Sequence, residues 1–217
     1  MGRRYNLKIT DEVYVFDSTK NWSCAYLILG EEKILVDTGL PGQGKGIIKE
    51  LNSLNIKAKE IKHILITHHD LDHIGNLAFL EKETGAHVWA SKEDIPYIYG
   101  DKSRPGLKKI ISFFMRVKKP ENITSFLENQ KINDVEVIPT PGHTPGHVCL
   151  IYKNVLFAGD LIRNSKGQLK PMESHMNWNE TILEESIEKI ADYDFEWICL
   201  AHGEPIKRVD AVGKLSK

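Results

Sequence analysis

Residues 67–73 read Thr67-His68-His69-Asp70-Leu71-Asp72-His73 and are the most informative segment of the chain. It directly follows residues 61–66, a mostly apolar run of the kind that forms a buried strand. Three imidazoles and two carboxylates therefore follow one predicted strand directly in the sequence. Loops held by a rigid sheet are where binding and catalytic groups concentrate, so this stretch is the first candidate for a functional site.

Residues of the same kinds follow three further predicted strands. His143 lies in the run Pro141-Gly142-His143-Thr144-Pro145-Gly146-His147 behind a second strand, Asp160 follows a third, and His202 follows a fourth. Imidazole and carboxylate are the ligands expected for zinc, iron or manganese. One histidine at a strand end is usually structural. Five or six such groups behind four strands favour a shared metal site instead, because buried ionised groups need a partner.

The rest of the chain is predicted as short strands and helices. Strands are predicted at 13–16, 24–29, 34–36, 61–66, 87–90, 135–138, 147–152, 155–158 and 197–200, and helices at 47–54, 74–83 and 181–191. Residues 92–130 are predicted as two helices separated by prolines. Two sheets packed face to face with helices outside would bury all the apolar strands at once. The pattern therefore predicts an α/β fold in a single domain spanning residues 1–217.

The composition is that of an ordinary globular protein, with 41% hydrophobic and 27% charged residues. A net charge of -1 argues against a nucleic-acid partner. Since no long apolar run or signal peptide is evident, we expect no membrane association. The cysteines, Cys24, Cys149 and Cys199, lie in apolar runs without close spacing, which predicts buried, inert thiols and a cytoplasmic location. A small-molecule substrate is the expected partner, and a homo-oligomer is left open.

The ordered set of motifs resembles the pattern of the metallo-β-lactamase superfamily. The core of the resemblance is His68-x-Asp70-x-Asp72-His73, followed in order by His143, Asp160 and His202. Flanking residues are similar too: Val36-Asp37-Thr38-Gly39, Ile74-Gly75-Asn76, residues 140–147 and Ala201-His202-Gly203. The resemblance covers residues 12–206. It implies a four-layer αββα sandwich, with two mixed β-sheets and helices outside, and the activity of a metal-dependent hydrolase.

The resemblance also implies two bound divalent metal ions, zinc first and iron or manganese as alternatives. Seven ligands are implied: His68, Asp70 and His143 for the first ion, Asp72, His73 and His202 for the second, and Asp160 bridging both. Asp72 would in addition orient the nucleophile or move a proton during catalysis. Asp37 and His147 would hold other residues of the site by hydrogen bonds rather than bind metal. The other histidines, His63, His69 and His87, are predicted to be structural or surface residues.

One position departs from the family pattern, because Asp70 stands where the second histidine of the motif is usual. His69 is adjacent, but neighbouring residues of an extended segment project to opposite sides, so Asp70 is the predicted ligand. Three carboxylates facing two divalent ions leave less positive charge than the usual pattern does. We therefore expect a weaker Lewis acid, or a preference for a harder ion such as iron or manganese.

Asp70 also keeps alternative functions open. Flavodiiron proteins resemble this chain in having a carboxylate at that position. A non-haem iron oxidoreductase of the flavodiiron or persulfide-dioxygenase type is the alternative to a hydrolase, and a metal-binding protein without turnover is a third reading. For the hydrolase, the predicted substrates contain an ester, thioester, lactone or related bond.

Specificity is predicted to come from two segments. Residues 92–130 form a helical lid or, equally, ordinary packing or a dimer contact. Residues 163–178 form a second wall, in which Arg163 or Lys166 would pair with an anionic substrate and His175 would face the site.

Overall fold

The computed structural model describes residues 6–103, 117–127, 130–165, 167–213 and 215. The chain divides into two compact units, Met1–Ser125 and Phe126–Lys217. Each unit has its own principal sheet and its own hydrophobic core. The single domain expected for residues 1–217 stays a prediction.

The first unit is built on a seven-stranded mixed sheet whose strands follow one another in chain order. They are β1 (Asn6–Lys8), β2 (Val13–Phe16), β3 (Tyr26–Leu29), β4 (Lys33–Val36), β5 (Ile61–Leu65), β6 (His87–Ala90) and β7 (Ile123–Ser125). Strands β1 to β4 pair antiparallel, and β4 to β7 pair parallel. The helices are α1 (Gly44–Ser53), α2 (Leu71–Ile74), α3 (Leu77–Thr84) and α4 (Ile95–Ile98), with a 3₁₀ turn at Ala58–Glu60.

The core of the first unit explains why α1 forms where it does. Its buried positions Ile47 and Leu51 are four residues apart, so they lie on one face, and they pack in the same cluster as Leu35 and Ile64 of the sheet. The same helix carries a buried carboxylate, Glu50, which accepts the backbone N–H groups of residues 17 and 18, both at 2.8 Å. These two bonds satisfy the buried charge and fix the loop that follows β2.

The helix predicted at residues 74–83 is wrong in its extent, because the structure interrupts it. Helix α2 ends at Ile74 and α3 starts at Leu77. A Cβ on Gly75 would lie 2.4 Å from the nitrogen of Pro41, so the backbone here approaches the turn after β4 too closely for any side chain. Asn76 binds the same turn, donating from Nδ2 to the carbonyls of Thr38 and Leu40 at 2.6 and 2.7 Å. The contacts of Gly75 and Asn76 therefore hold residues 67–73 close to the turn that follows β4.

The second unit has a six-stranded sheet and a separate three-stranded sheet. The six-stranded sheet, in the order β15-β14-β11-β10-β9-β8, comprises β8 (Lys131–Ile132), β9 (Val135–Pro139), β10 (Val148–Tyr152), β11 (Val155–Phe157), β14 (Trp197–Cys199) and β15 (Ile206–Lys207). Its strands are antiparallel except for the parallel pair β11 and β14. The smaller sheet comprises β12 (Ile162–Ser165), β13 (Gln168–Pro171) and β16 (Val212–Gly213), and 3₁₀ turns lie at Ser174–Met176 and Arg208–Asp210.

Helix α5 (Glu180–Ala191) covers the core of the second unit with Leu183, Ile187 and Ile190. Its predicted N-cap is confirmed, because the Asn179 side chain accepts the N–H of residue 182 at 3.1 Å. Its C-terminal end is fixed by the buried Arg208, whose guanidinium donates to the carbonyls of residues 191, 193 and 215 and packs on a phenylalanine ring. A buried charge is thus satisfied by three backbone acceptors.

The structure describes part of the segment predicted as a helical lid, and it describes all three cysteines. In residues 92–130, the described part contains α4 and the unexpected strand β7, while residues 104–116 and 128–129 lie outside the described residues. All three cysteines are described, buried and outside any disulfide. Burial raises the pKa of the Cys149 thiol to about 12, so this thiol stays protonated and inert at neutral pH. In the part of the chain that is described, no helix has the length and apolar character needed to cross a bilayer.

Candidate metal centre

Asp37, in the turn after β4, holds the histidines of the first unit in place. Its carboxylate is buried and accepts three hydrogen bonds: from the Thr67 N–H at 2.9 Å, from the Thr67 hydroxyl at 2.7 Å, and from His73 Nδ1 at 2.8 Å. Because a carboxylate only accepts, Nδ1 of His73 carries the ring proton. The lone pair of His73 is therefore on Nε2, as metal binding requires.

Thr67 links Asp37 to His68 through its hydroxyl group, and this link also fixes the tautomer of His68. Its hydroxyl proton is donated to Asp37, so the hydroxyl oxygen accepts from His68 Nδ1, which lies 3.1 Å away. The lone pair of His68 is then on Nε2 as well. The rings of His68 and His73 are both buried, with centroids 3.9 Å apart. One buried carboxylate thus fixes the tautomers of two imidazoles, and the sequence predicted only that Asp37 orients a residue of the site.

Two carboxylates accompany these imidazoles. Asp70 Oδ2 lies 3.7 Å from His68 Nε2, and Asp72 Oδ2 lies 3.9 Å from His73 Nε2. Asp72 is the more open of the two, with 26% of its side chain exposed against 12% for Asp70. Ser23, which the sequence did not single out, places its buried hydroxyl oxygen 3.2 Å from His73 Nε2.

His69 contacts Asp94 and Tyr97 in the first unit. Its Nδ1 lies 2.9 Å from Asp94 Oδ2, its backbone N–H donates to the same oxygen at 3.0 Å, and its ring stacks on Tyr97 with centroids 4.4 Å apart. Asp94 is completely buried. These contacts hold the backbone between His68 and Asp70, and they keep the neighbouring imidazole from taking the place of Asp70.

In the second unit, His143 is held by a neutral side chain. Asn177 Oδ1 lies 3.0 Å from His143 Nδ1, and Asn177 Nδ2 donates to the carbonyl of Met172 at 3.1 Å. Because the amide oxygen accepts, the proton of His143 is on Nδ1 and its lone pair is on Nε2. Gly142 allows this turn, because a Cβ there would lie 2.4 Å from the Cα of Leu183.

Asp160 presents its two carboxylate oxygens to two different histidines. Oδ2 lies 3.4 Å from His143 Nε2, and Oδ1 lies 3.3 Å from His202 Nε2. The backbone N–H of Asp160 donates to His147 Nε2 at 3.1 Å, so His147 Nδ1 carries a proton and bonds to Thr140 Oγ1 at 2.9 Å. Both nitrogens of His147 are therefore engaged, which makes it a support for Asp160 rather than a ligand.

The imidazole–carboxylate distances within each unit suit metal ligands. The four Nε2–oxygen distances above run from 3.3 to 3.9 Å. Direct hydrogen bonds between such groups are usually about 2.7–3.2 Å long. Two ligands bound tetrahedrally to one zinc ion at 2.0–2.1 Å are about 3.3 Å apart. The donor set, with lone pairs on Nε2 and carboxylates at these separations, therefore fits divalent metal ions.

Two of the predicted wall residues, Arg163 and His175, lie in the second unit beside one carboxylate, and Lys166 lies outside the described residues. Arg163 on β12 pairs with Glu173 at 3.1 Å, and His175, whose side chain is 67% exposed, has Nε2 3.8 Å from the same carboxylate. Two other histidines form a separate group on β5 and β6: His63 accepts from Trp89 Nε1 at 3.0 Å and lies across from His87.

Comparison with known proteins agrees with this site. Residues 23–202 match the family model of the metallo-β-lactamase superfamily. The chain is 31% identical over 197 residues to the uncharacterized protein YobT of Bacillus subtilis, covering 82% of each chain. It is 36% identical over 122 residues to a hydroxyacylglutathione hydrolase of Shewanella halifaxensis, a match that spans 56% of this chain but only 40% of that enzyme.

A solved structure shows the fold. The Rm3 metallo-β-lactamase superposes with a TM-score of 0.72 at 19% identity, covering 93% of this chain and 79% of that one. The predicted fold class is thereby confirmed, and so is the resemblance on which it rested. The chain belongs to the metallo-β-lactamase superfamily.

Proposed function

We propose that this protein is a metal-dependent hydrolase that cleaves an ester, thioester or lactone bond in a small molecule. The observation that carries the proposal is the arrangement of His68, His73 and His143. Each has its Nδ1 proton bonded to an oxygen acceptor, so each carries its lone pair on Nε2, beside a carboxylate. Membership of a superfamily that includes hydrolases supports the same reading.

The proposed ligands follow from these donor atoms and from the family pattern. By the family pattern they would be His68, Asp70 and His143 for one ion, Asp72, His73 and His202 for the other, and Asp160 for both. The bridging role of Asp160 is supported by its two oxygens, each of which lies near a different histidine. Bound divalent ions would supply a water molecule acidified to near neutral pH and would polarise the bond that is cleaved.

The protein's own groups then position the reactants. Asp72 is the more exposed of the two carboxylates beside the first unit's imidazoles, so we assign it the orientation of the nucleophile and the transfer of a proton to the leaving group. Asp37, Thr67 and Asn177 keep the imidazoles in the binding tautomer throughout. His147 holds the backbone of Asp160 so that its carboxylate stays in place.

Metal content tests the proposed centre. The protein, purified without added metal, is expected to contain zinc, iron or manganese, and to have zinc-bound water less acidic than usual because Asp70 adds a third carboxylate. Elemental analysis together with the pH dependence of turnover measures both. Two tightly held zinc ions per chain, with turnover that titrates well below neutral pH, would contradict the role given to Asp70.

Turnover tests the reaction class. We expect metal-dependent cleavage in a panel of thioesters, esters, lactones, β-lactams and phosphodiesters, and its loss in Asp72→Ala. A replacement of the exposed Asp11, Asp11→Asn, is the control for loss of one carboxylate charge and should leave turnover unchanged. If no member of the panel is cleaved by any metal form, the proposal is wrong.

A second candidate, a non-haem iron oxidoreductase, is favoured by one observation, the carboxylate of Asp70 at a ligand position. Iron-loaded protein should therefore be tested for oxygen consumption with sulfur-containing substrates beside the hydrolysis panel. Oxygen consumption with no hydrolysis would replace the hydrolase proposal with this one.

A further inference from the structure

The hydroxyl of Ser23 is bonded to the nitrogen through which His73 is proposed to bind metal. Ser23 Oγ lies 3.2 Å from His73 Nε2, and both residues are completely buried. The ring proton of His73 is on Nδ1, which lies 2.8 Å from a carboxylate oxygen of Asp37. Nε2 is therefore the acceptor of the second bond, and the Ser23 hydroxyl donates to it.

Asp37, His73 and Ser23 form a chain of hydrogen bonds within the first unit. A carboxylate at Nδ1 makes the opposite nitrogen of an imidazole more basic, so Asp37 strengthens the bond that His73 accepts from Ser23. The order carboxylate, imidazole, hydroxyl is that of a serine hydrolase triad, but a completely buried hydroxyl is closed to a substrate. The bond from Ser23 therefore matters for what His73 itself can bind.

The loop that carries Ser23, between β2 and β3, is fixed on both sides of this residue. At its start, Glu50 of α1 accepts two backbone N–H groups, both at 2.8 Å. The Thr19 hydroxyl crosses the loop, because it accepts from the N–H of Ala25 at 2.9 Å and donates to the last carbonyl of β2 at 2.9 Å. Ser23 lies between these fixed points, so its hydroxyl is held at His73 without further loss of conformational freedom.

The lone pair on His73 Nε2 serves one partner at a time. Carboxylates lie near Nε2 of His68 and of His143, but an ionised carboxylate has no proton to donate. At His73 a hydroxyl proton occupies the lone pair, so an ion can bind there only after the bond from Ser23 is broken. The displaced hydroxyl loses this acceptor, and bulk water does not reach it because Ser23 has no exposed surface.

We propose that Ser23 lowers the affinity of the ion at His73, because its hydroxyl holds the lone pair in the metal-free protein and is displaced when the ion binds. This inference rests on the proposed function, since it assigns the control of one ligand of the same metal centre. Every ion that binds His73 breaks the same bond, so affinity is lowered by a similar factor for hard and soft ions. Ser23 therefore stabilises the metal-free protein but not the metal-loaded one.

The experiment compares Ser23→Ala with the wild-type protein, each without metal and saturated with zinc or with manganese. The ion concerned is the one whose binding is lost in His73→Ala, and its affinity is measured by competition with a chelator. This affinity should rise about fivefold in Ser23→Ala for both metals, the equivalent of one neutral hydrogen bond. Thermal unfolding should show a midpoint lower by about 2–4 °C in the metal-free variant and no decrease in the metal-saturated variant.

Two further variants are controls. Ser53→Ala removes a serine hydroxyl of the same unit, one that donates to the carbonyl of Glu50 within α1 at 2.7 Å, and it should leave the affinity for both metals unchanged. Ser23→Thr keeps the hydroxyl, so it should keep the wild-type affinities. It thereby separates loss of the hydrogen bond from a change in packing.

Equal losses of stability with and without metal, at unchanged affinity, would show that Ser23 is only structural and would overturn the inference. A Ser23→Ala protein that is unfolded even with metal present overturns it in the same way. A lower affinity in Ser23→Ala would identify Ser23 as a ligand instead. Wild-type protein that binds no ion overturns both this inference and the proposed function, whereas metal binding without turnover of any substrate overturns the proposed function alone.

Discussion

The two units hold their imidazoles by different means. In the first unit a buried carboxylate, Asp37, bonds directly to His73 and reaches His68 through Thr67. In the second unit a half-buried amide, Asn177, bonds to His143. A charged acceptor polarises an imidazole more strongly than a neutral one does, and a buried bond cannot be replaced by water. Metal affinity should therefore depend more on Asp37 and Thr67 in the first unit than on Asn177 in the second.

Among the residues that support the imidazoles, Asp37 should matter most, and Asp37→Asn should lower metal affinity about 100-fold. The asparagine amide has one acceptor oxygen where the carboxylate has two, so it cannot accept from both Thr67 and His73 Nδ1 as Asp37 does. His73 would then favour the tautomer with its proton on Nε2, which prevents that nitrogen from binding metal. Asparagine tolerates the left-handed backbone of this position, where φ is 58°, so the fold should persist. Competition with a chelator measures the affinity. An unchanged affinity would show that the Asp37 charge has no such role.

Thr67→Val should have an intermediate effect, a loss of about tenfold, because it removes the hydroxyl that accepts from His68 Nδ1 and leaves that buried N–H without its bond. The shape of the side chain is kept. Thr84→Val is the matched control, since Thr84 is also a buried threonine of this unit and its hydroxyl donates to a backbone carbonyl outside the site. The two variants should lose comparable stability on thermal unfolding, but only Thr67→Val should lose metal affinity; equal affinities would contradict the relay.

Asn177→Ala should have the smallest effect, a loss of about threefold, because the only bond lost to a proposed ligand is the neutral one to His143, at a half-buried position where water can take its place. Asn154→Ala, which removes an exposed asparagine bonded to a glutamate, is the control and should change nothing. Should Asn177→Ala weaken metal binding as much as Asp37→Asn does, the proposed difference between the two units would be mistaken.

The sequence predicted the strands and the loops that follow them well, because apolar runs and glycine or proline punctuation are local signals. Strands β2 and β6 have the predicted bounds, Val13–Phe16 and His87–Ala90. The short strands β12 and β13 were missed, since their sequences, Ile162–Ser165 and Gln168–Pro171, are largely polar and show no clear alternation. The break after Ile74 was missed because it depends on contact with a turn more than thirty residues away.

The residues that hold the imidazoles in place also fall into two groups, those with a local sequence signal and those without one. Asp37 could be singled out because it lies in a motif of its own, but Asn177, Asp94 and Ser23 could not. They bond to residues between 25 and 50 positions away, and an asparagine, aspartate or serine in a loop carries no local pattern that marks such a partner. Thr67 had a signal, its place directly before the first histidine, but its role as a relay depends on where Asp37 lies.

The most direct test of the proposed centre is the number of metal ions bound per chain in wild type and in His143→Ala, measured by elemental analysis on folded protein. We predict two ions per chain in wild type and at most one in the variant, with hydrolysis lost in parallel. Two ions retained in His143→Ala, or none bound by the wild-type protein under any metal supply, would contradict the account.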